Sequence, residues 1–158
     1  MGDWVDTFTL PDLLARAAER RPDADALVFP TGRQTFRQLD DAAVANAAAL
    51  AGIGVGRGDH VGLLLPNCRE YVELMLGAAM LGAWVVPVNS RYKAHELAHV
   101  IADADLKVLI TTDAVDEFVD FAALVTEALP GLVASADPSG LSLDAAPLLR
   151  TVVVLGSK

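Results

Sequence analysis

The chain is poor in several features that would settle its chemistry early. It holds one cysteine, Cys68. A single thiol cannot close an internal disulfide, which points to a reducing compartment. Basic residues are outnumbered: 12 Lys and Arg stand against 21 Asp and Glu, for a net charge of −9. Nucleic-acid backbones and anionic membrane surfaces both demand a basic patch, so neither is expected as the main partner. No apolar run is long enough to span a bilayer. The longest, Leu74 to Val88, is interrupted by Gly77, Gly82 and Pro87. The opening MGDWVD is acidic and lacks the apolar stretch of a secretory signal. Asp6 stands where a myristoylation signal starting at Gly2 wants Ser or Thr. There is no internal repeat and no low-complexity tract. These absences leave a soluble cytoplasmic protein, not transmembrane, as the expectation.

What is present is core. Of 158 residues, 53% are hydrophobic, enough for one domain over 1–158. TLPDLLARAAERRPD reads as a helix, with Thr9 and Asp12 at capping spacing, Pro11 in the first turn and Pro22 at the end. Ala26–Phe29 and Arg33–Thr35 flank a Pro30-Thr31-Gly32 turn and predict a hairpin. Phe36, Leu39, Ala43, Ala47 and Leu50 recur at helical spacing and predict a helix from Phe36 to Ala51. Residues 9–57 thus form a helix–hairpin–helix lead-in.

Over 58–155 strand and helix signals alternate. Strands are predicted at His60–Leu65, Trp84–Val88, Lys107–Thr111 and Thr151–Leu155, with Pro87 marking an edge or a strand end. Helices are predicted over CREYVELMLGAAML, capped by Asn67, over AHELAHVIADA, and from a cap at Asp113 to just before Pro130. The stretch Gly131–Pro147 is small and polar and reads as a loop. The fold class expected is α/β: a largely parallel, doubly wound sheet with helices on both faces.

Three motifs tempt a functional reading. HELAH, His95 to His99, spells the H-E-x-x-H of a zinc protease. At about 100° per residue, Leu97, Val100, Ile101 and Ala104 form one stripe, and both histidines fall opposite it. The stripe must face the sheet, so the histidines face water. A zinc helix needs them in a cleft with a third ligand, so no metal ligand is assigned. AGIGVGRGDHVG is rich in glycine but misses dinucleotide-loop spacing, with Arg57 or Asp59 where the last glycine belongs. It also follows a helix and precedes a strand, the reverse of the order a phosphate loop needs. Helix end and turn is the plainer account, and RGD within it is turn chemistry. Cys68, at a helix start, is read as a half-buried thiol, not a nucleophile, with no histidine near it in sequence.

Ligands of open α/β sheets bind at the carboxyl ends of the strands. Those ends carry Pro66-Asn67, Asn89-Ser90-Arg91-Tyr92, Thr111-Thr112-Asp113 and Gly156-Ser157-Lys158. Arg91 is the one strong anion partner among the first three. No nucleophile–base pair assembles from them. Asn89, Arg91 and Tyr92 are therefore named as substrate-proximal, and no residue is named as catalytic or as cofactor-binding.

The order of segments resembles the N-terminal region of the adenylate-forming (AMP-binding) enzymes: acyl-CoA synthetases, aryl-CoA ligases, luciferases and peptide-synthetase adenylation domains. The resemblance runs from Thr9 to Leu155. Its most specific part is GDHVGLLLPNCREYVELMLGAAMLGAWVVPVNSR, Gly58 to Arg91. NSRYKAHELAHVIADADLKVLIT is more similar to the fatty-acyl and medium-chain CoA ligases. The resemblance implies ATP-dependent activation of a carboxylic acid through an acyl-adenylate, then thioester formation on CoA, with ATP, Mg²⁺ and CoA serving the parent enzyme. It also implies a much longer chain, with the phosphate loop, nucleotide contacts, metal-binding glutamate and catalytic lysine beyond residue 158, so that Lys158 is not that lysine. The expectation is then an N-terminal piece of an acyl-CoA synthetase, inactive alone, with no cofactor bound and the rest of the ligase as partner. A free-standing interaction module, an acyl-AMP ligase serving a carrier protein, and homo-oligomerisation stay open.

Overall fold

The computed structural model describes residues 9–114, 119–133 and 140–156. Gly2, Asp6, Ser157 and Lys158 lie outside them. The first elements run helix, hairpin, helix. Helix α1 (Leu10–Arg20) starts where the Thr9 side chain accepts the Asp12 N–H, with a proline in its first turn. Strands β1 (Asp25–Phe29) and β2 (Gly32–Thr35) pair antiparallel. Helix α2 (Phe36–Gly52) begins with a reciprocal capping box. Gln38 N–H donates to Thr35 Oγ1 at 3.3 Å, and Thr35 N–H donates to Gln38 Oε1 at 2.9 Å. Leu39, Ala43, Ala47 and Leu50 are its buried residues.

The βα part runs β3 (His60–Leu63), α3 (Arg69–Met80), β4 (Trp84–Pro87), α4 (Ala94–Asp103), β5 (Val108–Thr112), α5 (Phe121–Ala128) and β6 (Thr151–Leu155). The four strands are all parallel, in the order β4-β3-β5-β6. The chain steps outward from β3 to β4, crosses back over β3 to β5, and continues to β6. Strand alternation sends Val61, Leu63, Val108 and Ile110 to one face, under α3, and Leu64 and Leu109 to the other, under α4 and α5. Helices therefore cover both faces, and β4 with its Pro87 lies at an edge, as the sequence predicts. Helix α3 is itself sandwiched: Leu74 and Ala78 meet the sheet, while Leu76 meets the lead-in beside Leu14, Leu39 and Ala43. Among the described residues no helix is long and apolar enough to cross a membrane.

Two expectations need correction. Cys68, not Asn67, is the N-cap of α3, and no side-chain cap bond is made there. Asn67 sits one residue too early for its amide to reach the second or third N–H of the helix. Asp113 does not cap a helix. Its N–H still donates to Leu155 O at 3.2 Å, so the backbone there follows the sheet, and α5 is capped by Asp120, whose Oδ1 accepts the Ala123 N–H at 2.9 Å. The described residues of Gly131–Pro147 have little regular structure, as expected, yet Leu141, Leu143 and Ala146, followed by Leu149, are buried and cluster with residues of α4 and α5.

Candidate functional site

The carboxyl end of β4 turns sharply. Val88 N–H donates to Leu63 O at 3.0 Å, holding the chain to the sheet one residue past the strand. The Asn89 side-chain oxygen then accepts the Arg91 N–H at 2.9 Å, and Asn89 O accepts the Tyr92 N–H at 3.2 Å. This is an Asx-turn, the local chemistry for which asparagine is suited. Asn89 therefore shapes the turn, and Arg91 and Tyr92 are what the turn presents. Lys93 is the N-cap of α4, and its N–H is taken by Glu96 Oε2 at 2.7 Å.

Arg91 and Tyr92 line a cavity of about 740 Å³ between this turn and α5. Ser90, Lys93 and His95 extend the same wall; Val119, Asp120, Ala123, Leu124 and Glu127 form the other. One wall carries Arg91, Lys93 and a histidine, and the other carries two carboxylates. Tyr92 is half-buried with its ring against the α4–α5 core, while Arg91 is exposed and makes no ion pair with a described residue. The arrangement suits a ligand with an anionic end at Arg91 and an apolar part near Tyr92, Val119 and Leu124. Of the three residues expected near substrate, Arg91 and Tyr92 line this cavity and Asn89 shapes the turn that carries them. The opposite wall escaped the sequence reading because α5 meets the β4 turn only after the chain has crossed β3.

A second crevice lies where the order of strands reverses, between the carboxyl ends of β3 and β5, the place where open α/β sheets take ligands. It measures about 460 Å³ and is bounded by Leu65, Pro66, Cys68, Glu70, Thr112 and Leu155, among others. Thr112 spends its hydroxyl on structure, donating to Leu155 O at 3.0 Å and accepting the Ala114 N–H at 3.1 Å. Burial pushes the Cys68 thiol up, the Tyr71 N–H pulls it down, and the Glu70 carboxylate pushes it further up. The Glu70 carboxyl is held below its ordinary range, first by its own backbone N–H, against a burial penalty, with help from Arg69 and Cys68. Cys68 is thus a protonated, half-buried thiol and not an activated nucleophile. Beside Thr112 in the chain, Thr111 keeps a buried hydroxyl that has no hydrogen-bond partner among the described residues.

The tempting motifs resolve on geometry. His95 and His99 are exposed on α4, while Leu97 and Ile101 are buried on the opposite stripe. The glycine-rich turn lies at the amino end of β3, away from the crevice, where Gly54 and Gly58 adopt φ of +85° and +84°. There Asp59 of the RGD triplet accepts the Gly56 N–H and the Lys107 ammonium, both at 2.8 Å, and Lys107 also donates to Gly54 O at 2.7 Å. Burial raises the Asp59 pKa, but Lys107 and the Gly56 N–H outweigh it and hold the carboxyl below its ordinary value. His60 Nδ1 lies 2.6 Å from Ala104 O, so that nitrogen carries a proton and donates. A cavity of about 410 Å³ opens at this end beside His60, Lys107 and Arg150, but Lys107 is spent on Asp59 and Gly54, and no cluster of three metal-ligating side chains exists among the described residues.

Comparison with known proteins shows the family and the fold. The family model described as AMP-binding enzyme matches residues 14–151. The long-chain-fatty-acid–CoA ligase FadD13 of Mycobacterium tuberculosis is 34% identical over 134 residues, covering 84% of this chain and 25% of that protein. The crystal structure of the anthranilate CoA ligase AuaEII in complex with anthranoyl-AMP superposes with a TM-score of 0.76 at 30% identity, over 94% of this chain and 25% of that one. The N-terminal domain of FACL13 from Mycobacterium tuberculosis superposes at 0.73 with 29% identity, over 94% and 34%. The chain therefore spans about a quarter to a third of the length of the proteins it matches, and the match is to their N-terminal portion.

Proposed function

The chain belongs to the AMP-binding enzyme family, and from that premise we propose that residues 1–158 work as one unit, the N-terminal part of a cytoplasmic acyl-CoA synthetase. The whole enzyme activates a fatty or related carboxylic acid in two steps. The carboxylate oxygen attacks the α-phosphorus of ATP, forming an acyl-adenylate and releasing pyrophosphate. The CoA sulfur then attacks the acyl carbon, forming the thioester, and AMP leaves with the bond electrons. The detour is needed because a carboxylate has no good leaving group, whereas the mixed anhydride has AMP.

We assign the ATP and Mg²⁺ sites to the rest of the enzyme, because the glycine-rich turn has neither the spacing nor the order of a phosphate loop and no cluster of three metal-ligating side chains lies among the described residues. This chain contributes a rigid scaffold and one wall for substrate. Arg91, with Lys93 beside it, draws an anionic group to the rim of the cavity, Asn89 fixes the turn that aims it, and Tyr92 backs it with apolar surface. The observation that carries the proposal is the family match over residues 14–151 on a parallel sheet ordered β4-β3-β5-β6.

Residues 1–158 mixed with ATP, Mg²⁺ and a fatty acid are expected to release no pyrophosphate above background. A longer ligase carrying them as its N-terminal part releases it, and adding CoA yields the thioester. Pyrophosphate from residues 1–158 alone overturns the assignment of catalysis to the rest of the enzyme. An acyl group that passes only to a carrier protein, and never to CoA, replaces the synthetase by an acyl-AMP ligase.

A further inference from the structure

Helix α4 carries a pair of side chains that neither the scaffold nor the substrate wall uses. It is regular from Ala94 to Asp103, and His95 and His99 stand four residues apart on it, both exposed. Side chains at that spacing lie one above the other on a helix, with Cβ atoms about 5–6 Å apart. Neither imidazole makes a hydrogen bond or an ion pair with a described residue; of the three histidines only His60 is held, by Ala104 O. Between the two, Glu96 is already engaged: its Oε2 accepts the Lys93 N–H at 2.7 Å. Leu97 and Ile101 turn the other side of the helix into the core.

The exposure that excludes a zinc protease centre is what a surface chelate needs. A catalytic zinc of that kind requires a cleft, a third protein ligand and a free glutamate as base. Here the glutamate serves the start of the helix, and no third metal-ligating side chain clusters with the pair among the described residues. Two imidazoles one turn apart still grip one ion, with water filling its other positions. Once one nitrogen binds, the second is an intramolecular ligand at high effective concentration, so the pair outbinds either histidine alone. Imidazole suits Zn²⁺, Cu²⁺ and Ni²⁺, whereas the hard ions Mg²⁺ and Ca²⁺ keep to oxygen ligands. His95 also lines the cavity of about 740 Å³, on the wall with Arg91 and Lys93 and opposite Asp120 and Glu127. An ion held there adds positive charge to that wall. The Glu96 carboxylate, in the same first turn, offsets the repulsion of the ion by the amino end of the helix.

We propose that His95 and His99 form a two-imidazole chelate for a divalent transition-metal ion, Cu²⁺, Ni²⁺ or Zn²⁺, on the water-facing side of α4 beside the Arg91 cavity. The ion ties the first turn of α4 to the second and so stiffens the helix that follows the Asn89 turn. The site stands apart from the Mg²⁺ of the synthetase reaction and does not rest on the synthetase assignment.

The test uses the 158-residue chain with Ni²⁺ as probe, titrated by calorimetry in a buffer that does not coordinate metal. One ion per chain is expected, with Cu²⁺ bound more tightly and Mg²⁺ not bound. His95→Ala and His99→Ala are each expected to weaken Ni²⁺ at least about tenfold, because each breaks the chelate. Glu96→Gln and Cys68→Ser are expected to change it less than about threefold, because neither side chain belongs to the site. Asp103 is exposed one turn beyond His99. Asp103→His in the His95→Ala background rebuilds the spacing and is expected to recover most of the lost affinity. Saturating Zn²⁺ is expected to slow amide hydrogen exchange in α4 of the wild type and not of His99→Ala. Unchanged exchange of the buried β5 in every variant shows that each folds. The proposal is overturned by any of five results: no saturable binding, binding that survives both alanine variants or is lost in Cys68→Ser, Mg²⁺ bound as tightly as Ni²⁺, a rebuilt pair that recovers nothing, or α4 exchange indifferent to Zn²⁺.

Discussion

Where α3 crosses α2, backbone touches backbone; over the far face of the sheet, large side chains fill the space. Helix α3 lies between the strands and α2, and at Gly77 the two helices come so close that an added Cβ would sit 2.9 Å from Ala47 N and 3.0 Å from Ala43 O. The residues at that contact are Gly, Ala and Asn. The opposite face is packed by large fully buried side chains, among them Leu97, Ile101, Phe121, Leu129 and Leu149, part of them carried by irregular chain after α5. Small residues at a crossing make a stiff contact that resists enlargement, because backbone cannot step aside. Large side chains over a gap make a contact that resists truncation, because nothing nearby can collapse into the hole.

That contrast can be broken by substitution. Leu149→Ala is expected to cost most, about 2–5 kcal/mol, since Leu149 is 0% exposed and its loss leaves a cavity. Urea unfolding reads it as a lowered midpoint with unchanged slope, and a cost under about 1 kcal/mol would mean that the irregular segment does not truly plug that face. Gly77→Ala comes next, at a net loss of up to about 2 kcal/mol. The overpacking cost of about 1–3 kcal/mol outruns the gain of about 1 kcal/mol in helix propensity. A stabilised variant in thermal melts would show the helix crossing to be loose.

Lys107→Met belongs to neither face and sets a baseline at the amino end. It removes donors to Gly54 O and Asp59, for a loss of about 1 kcal/mol. The folded Asp59 pKa is depressed, so its contribution is complete above the ordinary aspartate value of 3.8 and fades as pH falls through the folded value. The gap between wild type and Lys107→Met should therefore close in acid; a gap that widens there contradicts the pairing. The smallest effect on stability is expected from Arg91→Ala, within about 0.5 kcal/mol. In a ligase built on this chain the same change should raise the KM of the anionic substrate and leave the melting temperature in place. A fall in melting temperature without a KM change would make Arg91 a loop anchor.

The lead-in and the α3 face were legible because their signals are local. Thr35 and Gln38, and the spacing of Leu39, Ala43, Ala47 and Leu50, announce a helix and its inner stripe within a few residues of chain. HELAH was settled the same way: once Leu97 and Ile101 face the sheet, helical geometry alone turns His95 and His99 to water. The other face was less legible. Gly131–Pro147 has a polar, loop-like composition, yet Leu141, Leu143 and Ala146 enter the core through contacts with α4 and α5 that have no period to betray them. Asp113 and Asp120 are both good caps in sequence. The pairing of Asp113 N–H with Leu155 O, far along the chain, decides between them.

By itself, then, the order of amino acids determined which segments are strands and helices, which stripe of each is apolar, and that strand and helix alternate, because these follow from periods of two and 3.6 residues along a single stretch of chain. Only the tertiary structure decided that β3 and β5 are neighbours with β4 outside them, and that Arg91 faces α5 across a cavity. Each of those is a contact between residues far apart in the chain, set by which surfaces bury one another, and no local period records it.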